Sequence, residues 1–126
     1  MDHYQMYIDG KFCDAESGLK LESVNPATEE KIASFPKAGV SDLEIAIVAA
    51  RSAFDEGEWP RFSLPERSQY LLRIAHLIRE SAYDLSRIET NDTGKTSKQT
   101  TFIDIPVAAA AYEYFAGAAN QVFAEE

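Results

Sequence analysis

The last part of the chain constrains the fold most. Val107, Ala108 to Ala111, Tyr112, Tyr114, Phe115, Ala118, Val122 and Phe123 are spaced to cover nearly the whole circumference of a helix. A helix apolar on every side has to be buried on every side, and only Ala124-Glu125-Glu126 follow it. The expectation is a piece cut from a larger domain, whose covering elements lie outside this sequence. The competing expectation is a non-enzymatic interaction module that buries the exposed helix against a second chain. A membrane span is excluded, because the longest uninterrupted apolar run, Ile105 to Tyr112, falls far short of the roughly 20 residues required.

Upstream, the pattern divides the chain in two. Residues 1–40 read as strands and turns and residues 41–126 as helices, an α-rich α/β arrangement within one incomplete domain. Met6-Tyr7-Ile8 and Lys11-Phe12-Cys13 flank Asp9-Gly10, a hairpin turn whose two central residues tolerate positive φ. Leu19 to Val24 alternates apolar and polar until Asn25-Pro26 ends it, and Lys31 to Phe35 gives a fourth strand. Four short, polar strands are too few for a doubly wound sheet.

From Ser41 the period becomes about 3.6. Ser41 and Glu44 form a capping-box pair, with Leu43, Ile47, Ala50 and Phe54 on one inward face and Gly57 as the stop. Ser63-Leu64-Pro65-Glu66 repeats the device for a helix burying Leu71, Ile74, Ala75 and Ile78. Ser81 and Asp84 open a third, with Leu85 and Ile88 inward and Gly94 at its end.

Charge and composition exclude several functions. The 126 residues carry 21 acidic against 12 basic side chains, a formal charge of -9, which repels phosphate backbones and anionic bilayers. Nucleic acid and membrane are not expected partners. Met1-Asp2-His3-Tyr4-Gln5 has no secretory character, and the single Cys13 allows no internal disulfide, so a cytoplasmic location is expected. Cys13 has no neighbouring base or helix N-terminus to activate it and reads as a small strand residue. His3, in a loose terminus, and His76, off the buried stripe, both read as solvated. Asp42, Glu44, Glu66, Glu80 and Asp84 are explained by helix starts and exposed faces.

Thr93-Gly94-Lys95-Thr96 resembles the end of a phosphate-binding loop, but Glu89 stands where its first glycine should be and a helix precedes it instead of a strand. The six glycines never approach a dinucleotide-binding spacing. Asn91-Asp92-Thr93 reads as a polar turn at a helix end, not a glycosylation site. Asp92 reads there as a turn cap, although a carboxylate in such a place can meet a hard cation if carbonyl oxygens are brought to it.

In order and spacing, several segments resemble the N-terminal part of the NAD(P)-dependent aldehyde dehydrogenase superfamily. They are Tyr7 to Phe12, Val24-Asn25-Pro26-Ala27-Thr28, Ala46 to Phe54 with Trp59, Pro65-Glu66-Arg67, Leu85 with Ile88-Glu89-Thr90, Gly94-Lys95, and Asp104-Ile105-Pro106 with Tyr114-Phe115-Ala116-Gly117. Glu29 departs from the family, which usually has glycine there; if the position needs positive φ, the turn is strained.

The resemblance implies that this stretch supplies the outer strands and first helices of a cofactor-binding domain. It implies an enzyme that oxidises an aldehyde to a carboxylic acid by thiolate attack, hydride transfer to NAD or NADP, and thioester hydrolysis. The nucleophilic cysteine, general-base glutamate and nicotinamide site belong to later sequence, and Cys13 does not match that thiolate, so this chain alone is expected to be inactive. The resemblance also implies a monovalent cation, K+ or Na+, held by the carbonyls of Ser23 and Val24 and by Asp92. It places Ile103 and Val107 at the substrate entrance, and a homodimer or homotetramer is expected of the complete protein. The Gln99 to Pro106 stretch is suggestive of the betaine-aldehyde and semialdehyde branches.

Overall fold

The computed structural model describes residues 2–119, which form two compact units divided between Arg61 and Phe62. In the first unit, β1 (Asp2–His3), β2 (Met6–Ile8), β3 (Lys11–Cys13), β4 (Lys20–Val24) and β5 (Lys31–Pro36) precede α1 (Val40–Asp55) and a 3-10 turn at Trp59–Arg61. The second unit holds α2 (Leu64–Glu80), α3 (Ala82–Thr93), the single turn α4 (Ser97–Gln99), a π-helical turn at Thr100–Asp104, and α5 (Ile105–Ala119). Val122 and Phe123 lie outside the described residues.

The hairpin forms as the Asp-Gly pair predicts. Asp9 and Gly10 take φ of 51° and 74°, and Met6 faces Cys13, Tyr7 faces Phe12 and Ile8 faces Lys11. The remaining strands make a separate sheet in the order β1-β5-β4, antiparallel between β4 and β5 but parallel between β1 and β5. β1 corrects the expectation of a loose terminus. Asp2 and His3 pair with Ala33 and Ser34, and the His3 ring bonds the Ser34 hydroxyl at 3.0 Å and the Asp14 carboxylate at 2.9 Å. A two-residue strand carries too little pattern to be read from sequence.

The turn joining β4 to β5 is organised by Asn25. Its side-chain oxygen accepts from the amides of Ala27 (2.9 Å) and Thr28 (3.3 Å), and its carbonyl accepts from the Glu29 amide at 2.8 Å. Closing this loop places Glu29 at φ 60°, in the left-handed region. The strain expected from its departure from glycine is therefore present.

Helix α1 starts two residues earlier than its Ser41–Glu44 pair suggests. Gly39 is the N-cap, and Asp42 reaches back to accept from its amide at 2.8 Å, while its other oxygen accepts from the Glu16 amide at 3.0 Å. Asp42 is only 5% exposed, so it is a buried tie between the β3–β4 connection and the helix start, not a surface carboxylate. Ser41 instead donates to the Glu16 carboxylate. Leu43, Ile47 and Phe54, expected inward, are exposed, and Ala46 and Ala49 are the half-buried positions. Apolar periodicity locates a helix, but it cannot tell which of two apolar faces the neighbouring strands will cover.

In the second unit, α2 opens with the expected capping box. The Ser63 amide donates to Glu66 at 2.8 Å and the Glu66 amide to the Ser63 hydroxyl at 3.5 Å. Ala75 is buried and Leu71 and Ile78 are half-buried, but Ile74 is exposed. The seam between α2 and α5 is made of small residues: Ala75 on one side, Ala109 and Ala116 on the other, and Ser68 donating to the Ala116 carbonyl at 2.8 Å. Arg79 adds a two-pronged pair to Glu113 at 2.9 and 2.8 Å. α3 ends at Gly94, left-handed at φ 72°, with Leu85 half-buried but Ile88 exposed.

Two predictions test these local arguments. Glu29→Gly should raise stability by roughly 0.5–1 kcal/mol, the left-handed penalty of a side-chain-bearing residue less the added freedom of glycine in the unfolded chain; an unchanged or lower midpoint in thermal unfolding would contradict the strain. At Asp42, bonds from the Gly39 amide and then the Glu16 amide hold the carboxyl below its usual value. Its stabilisation is therefore complete above the ordinary aspartate pKa of about 3.9 and is lost as pH falls through the lower folded value. Asp42→Asn should flatten the acid side of a stability-versus-pH curve.

Candidate functional site

The residues with candidate roles fall into two groups, one in each unit. In the first unit, Ser23 and Val24 end β4, where the pairing slips. Ser23 faces Ala33 but Val24 faces Lys31, so Ile32 is an extra residue in the opposing strand. Asn25 then turns the chain sharply. Ser23 is half-buried and Val24 exposed.

In the second unit, Asp92 lies exposed in the last turn of α3, where the polar run Asn91 to Thr93 closes the helix ahead of Gly94. The chain leaves α3 through Gly94, and Lys95 turns back over the helix end. Its ammonium donates to Glu89 Oε1 at 2.9 Å and to Asp104 Oδ2 at 3.0 Å. Those bonds, Glu89 first and then Asp104, push the Lys95 pKa above its ordinary value. Lys95 therefore stays charged and engaged with two carboxylates, which disposes of the phosphate-loop resemblance on structural grounds.

Thr96 caps the next turn, its hydroxyl accepting from the Gln99 amide at 3.3 Å. Thr100 follows and is completely buried; its hydroxyl shares a hydrogen bond with that of Thr90 at 2.8 Å and reaches the Ser97 carbonyl at 3.2 Å. From Thr100 the backbone widens into a π turn, closed by the Ile105 amide on the Thr100 carbonyl. Pro106 explains why the regular ladder fails here: it has no N–H to donate and its ring crowds the carbonyl one turn earlier. Such π turns are rare and concentrate at functional sites.

Ile103 consequently stands in the π turn and not in the α-helix expected of it, while Val107 stands in the first turn of α5. Both are exposed, at 56% and 60%, and Phe102 beside them is 75% exposed. Ile103, Val107, Ala110 and Tyr114 recur at helical spacing along one exposed stripe. Phe102 and the Lys95 pairing were missed in the sequence. The spacing from Glu89 to Lys95 to Asp104 crosses two breaks in helical register, so no periodic pattern links them.

Cys13 is a half-buried free thiol on β3. It lines a cleft of about 810 Å³ between the hairpin and α1, with Met6, Ile8, Ile45 and Val48. His76 pairs with Glu80 at 3.2 Å on an exposed helix face, near its solvated expectation. Among the described residues no three His, Cys, Asp or Glu side chains gather as a metal site, and no helix is long and apolar enough to cross a membrane.

Comparison with known proteins matches residues 12–126 to the aldehyde dehydrogenase family. The chain is 39% identical over 122 residues to the mitochondrial aldehyde dehydrogenase family 2 member B4 of Arabidopsis thaliana, covering 97% of this chain and 23% of that protein. It is 44% identical over 112 residues to the betaine aldehyde dehydrogenase of Mesorhizobium japonicum, covering 89% of this chain and 23% of that one. In structure it resembles the NAD-dependent aldehyde dehydrogenase of Sinorhizobium meliloti, with a TM-score of 0.91 and 38% identity over 95% of this chain and 24% of that one. An NAD+ complex of an aldehyde dehydrogenase from Bacillus cereus gives a TM-score of 0.92 at 34% identity, covering 96% of this chain and 25% of the other.

The chain belongs to the aldehyde dehydrogenase family, and it spans about a quarter of the length of the relatives it matches. These matches give no support to the non-enzymatic interaction module weighed from the sequence.

Proposed function

We propose that the full-length protein is an NAD(P)-dependent aldehyde dehydrogenase oxidising an organic aldehyde to the carboxylic acid, and that this stretch contributes architecture and the substrate entrance instead of reacting groups. The observation that carries the reading is the continuity of the family match through residues 12–126 together with the close structural likeness. The exposed apolar pair Ile103 and Val107 supports an entrance suited to an organic aldehyde.

The described residues do not fit a dinucleotide. Gly94 closes a helix instead of opening one, and Lys95 is engaged by Glu89 and Asp104. The cofactor is therefore assigned to other parts of the protein, and its NAD or NADP preference with it. Cys13 is given no role in the chemistry: it sits on a hairpin strand and does not match the position of the family's nucleophilic cysteine. Its free thiol supports the reducing cytosol as the compartment. A homodimer or homotetramer is proposed for the complete protein, on the family resemblance alone.

The monovalent-cation role of the Ser23 and Val24 carbonyls and of the Asp92 carboxylate rests on the same resemblance. Its support here is local: the slipped pairing at Ser23 and Val24 displaces the strand from regular register, and Asp92 is exposed at a helix end.

Two experiments test these statements. Purified full-length protein should reduce NAD or NADP in the presence of an aldehyde, and the 126-residue chain alone should not; a full-length protein inert toward short, long and aromatic aldehydes would refute the enzyme, and ordinary turnover by the 126 residues would refute the division of labour. In the full-length protein, Asp92→Ala should weaken the response of activity to K+ or Na+ while leaving the helical circular dichroism intact. Identical salt dependence in variant and parent would remove Asp92 from the cation site.

A further inference from the structure

The π turn at Thr100–Asp104 is held at both ends by neighbouring residues of α3. At its first residue, the buried Thr100 hydroxyl meets that of Thr90 at 2.8 Å. At its last, the Asp104 carboxylate meets the Lys95 ammonium at 3.0 Å, and the same ammonium meets Glu89 at 2.9 Å. Glu89 and Thr90 are adjacent, so one spot on α3 anchors both ends of the turn. Between the anchors, Thr101, Phe102 and Ile103 face outward.

The two anchors differ in kind. The threonine pair is neutral and tied to a fully buried side chain, so it belongs to the packed interior. The Lys95 bridge joins two carboxylates that would repel each other without the ammonium between them. It is partly exposed, so it contributes less to overall stability than to local geometry. Removing the cation releases the Asp104 end of the turn and sets like charges against each other there, while the Thr100 end stays fixed. The residues that move are those just before Asp104, namely Phe102 and Ile103.

We propose that Lys95 is a positioning residue for substrate recognition: by bridging Glu89 to Asp104 it clamps the downstream end of the π turn and fixes where Phe102 and Ile103 stand at the aldehyde entrance. The proposal rests on the aldehyde dehydrogenase reading. It acts through apolar contact with the substrate's side group, and so it separates binding of large aldehydes from the chemical step. A smaller aldehyde that does not reach the entrance is indifferent to it.

The test compares full-length parent with Lys95→Met, which keeps the apolar stem and loses the charge, and with Lys95→Arg, which keeps the charge. KM for a bulky aromatic aldehyde should rise roughly tenfold in Lys95→Met, with kcat within about twofold and KM for acetaldehyde unchanged. Amide exchange should quicken over residues 100–105 and not in α2. Lys95→Arg should recover most of the KM, and Asp104→Asn should reproduce the Lys95→Met effect without adding to it in the double variant. An active parent whose Lys95→Met variant keeps its KM and its amide exchange would overturn the clamp. A variant losing kcat equally for every aldehyde would overturn it too, because that pattern belongs to a general structural role. A parent with no aldehyde activity at all would overturn the functional reading and the recognition role together, which the activity of the parent decides before any variant is compared.

Discussion

Close contact between α2 and α5 is the constraint on which the second unit depends. Two helices can approach with a serine hydroxyl bonded to a backbone carbonyl of the partner only if the facing residues are small, and Ser68, Ala75, Ala109 and Ala116 meet that condition. The consequence runs through the rest of the unit. With alanines in the seam, the large apolar side chains of α5 are pushed to its other faces, where Val107, Tyr114 and Phe115 stand exposed. The most buried positions are therefore the smallest residues, the reverse of the usual distribution in a complete core. Such an arrangement suits a stretch that makes up about a quarter of its relatives' length.

In the first unit a comparable part is played by one carboxylate. Asp42 satisfies the amide of Gly39 at the start of α1 and the amide of Glu16 on the incoming connection, so the helix start and the chain ahead of it are fixed by the same group. Both bonds are partly buried, and the carboxylate that accepts them is itself buried, so one group satisfies two backbone donors. Ser41, one position earlier, carries the more familiar capping chemistry, yet it is used for a contact with Glu16. Capping preference ranks residue types but does not choose between neighbours that can both reach, and here the connection from β3 made the choice.

The same contrast explains what was legible in the sequence. Local rules with short range were read correctly: Asp9-Gly10 in the hairpin, Ser63 with Glu66 at the start of α2, Gly94 at the end of α3, and the positive φ suspected at Glu29. Each depends on two to four consecutive residues. What failed needed partners far along the chain. Strand β1 exists because β5 offers an edge some thirty residues later, and apolar spacing does not single out the inward face of α1 because both of its faces are apolar. In the candidate site, Ile103 and Val107 come from the family resemblance, and no local pattern shows the π turn that contains Ile103. Pro106 signals a disturbance in the helix without saying which kind.

That turn shows how the departure from regular helix becomes useful. An α-helix continued unbroken from Ser97 would leave Pro106 colliding with the carbonyl one turn back, and a kink could relieve the clash in several directions. Widening the turn by one residue relieves it in one defined way, provided that both ends are held. Thr90 and Glu89 hold them through groups of opposite character, a buried hydroxyl at Thr100 and, at Asp104, a carboxylate reached through Lys95. The packed end fixes the turn against the interior and the charged end fixes its outer rim. Because the exposed apolar residues lie between the two, their position follows from an ion pair that never touches them, which is why no pattern of apolar spacing could have found it.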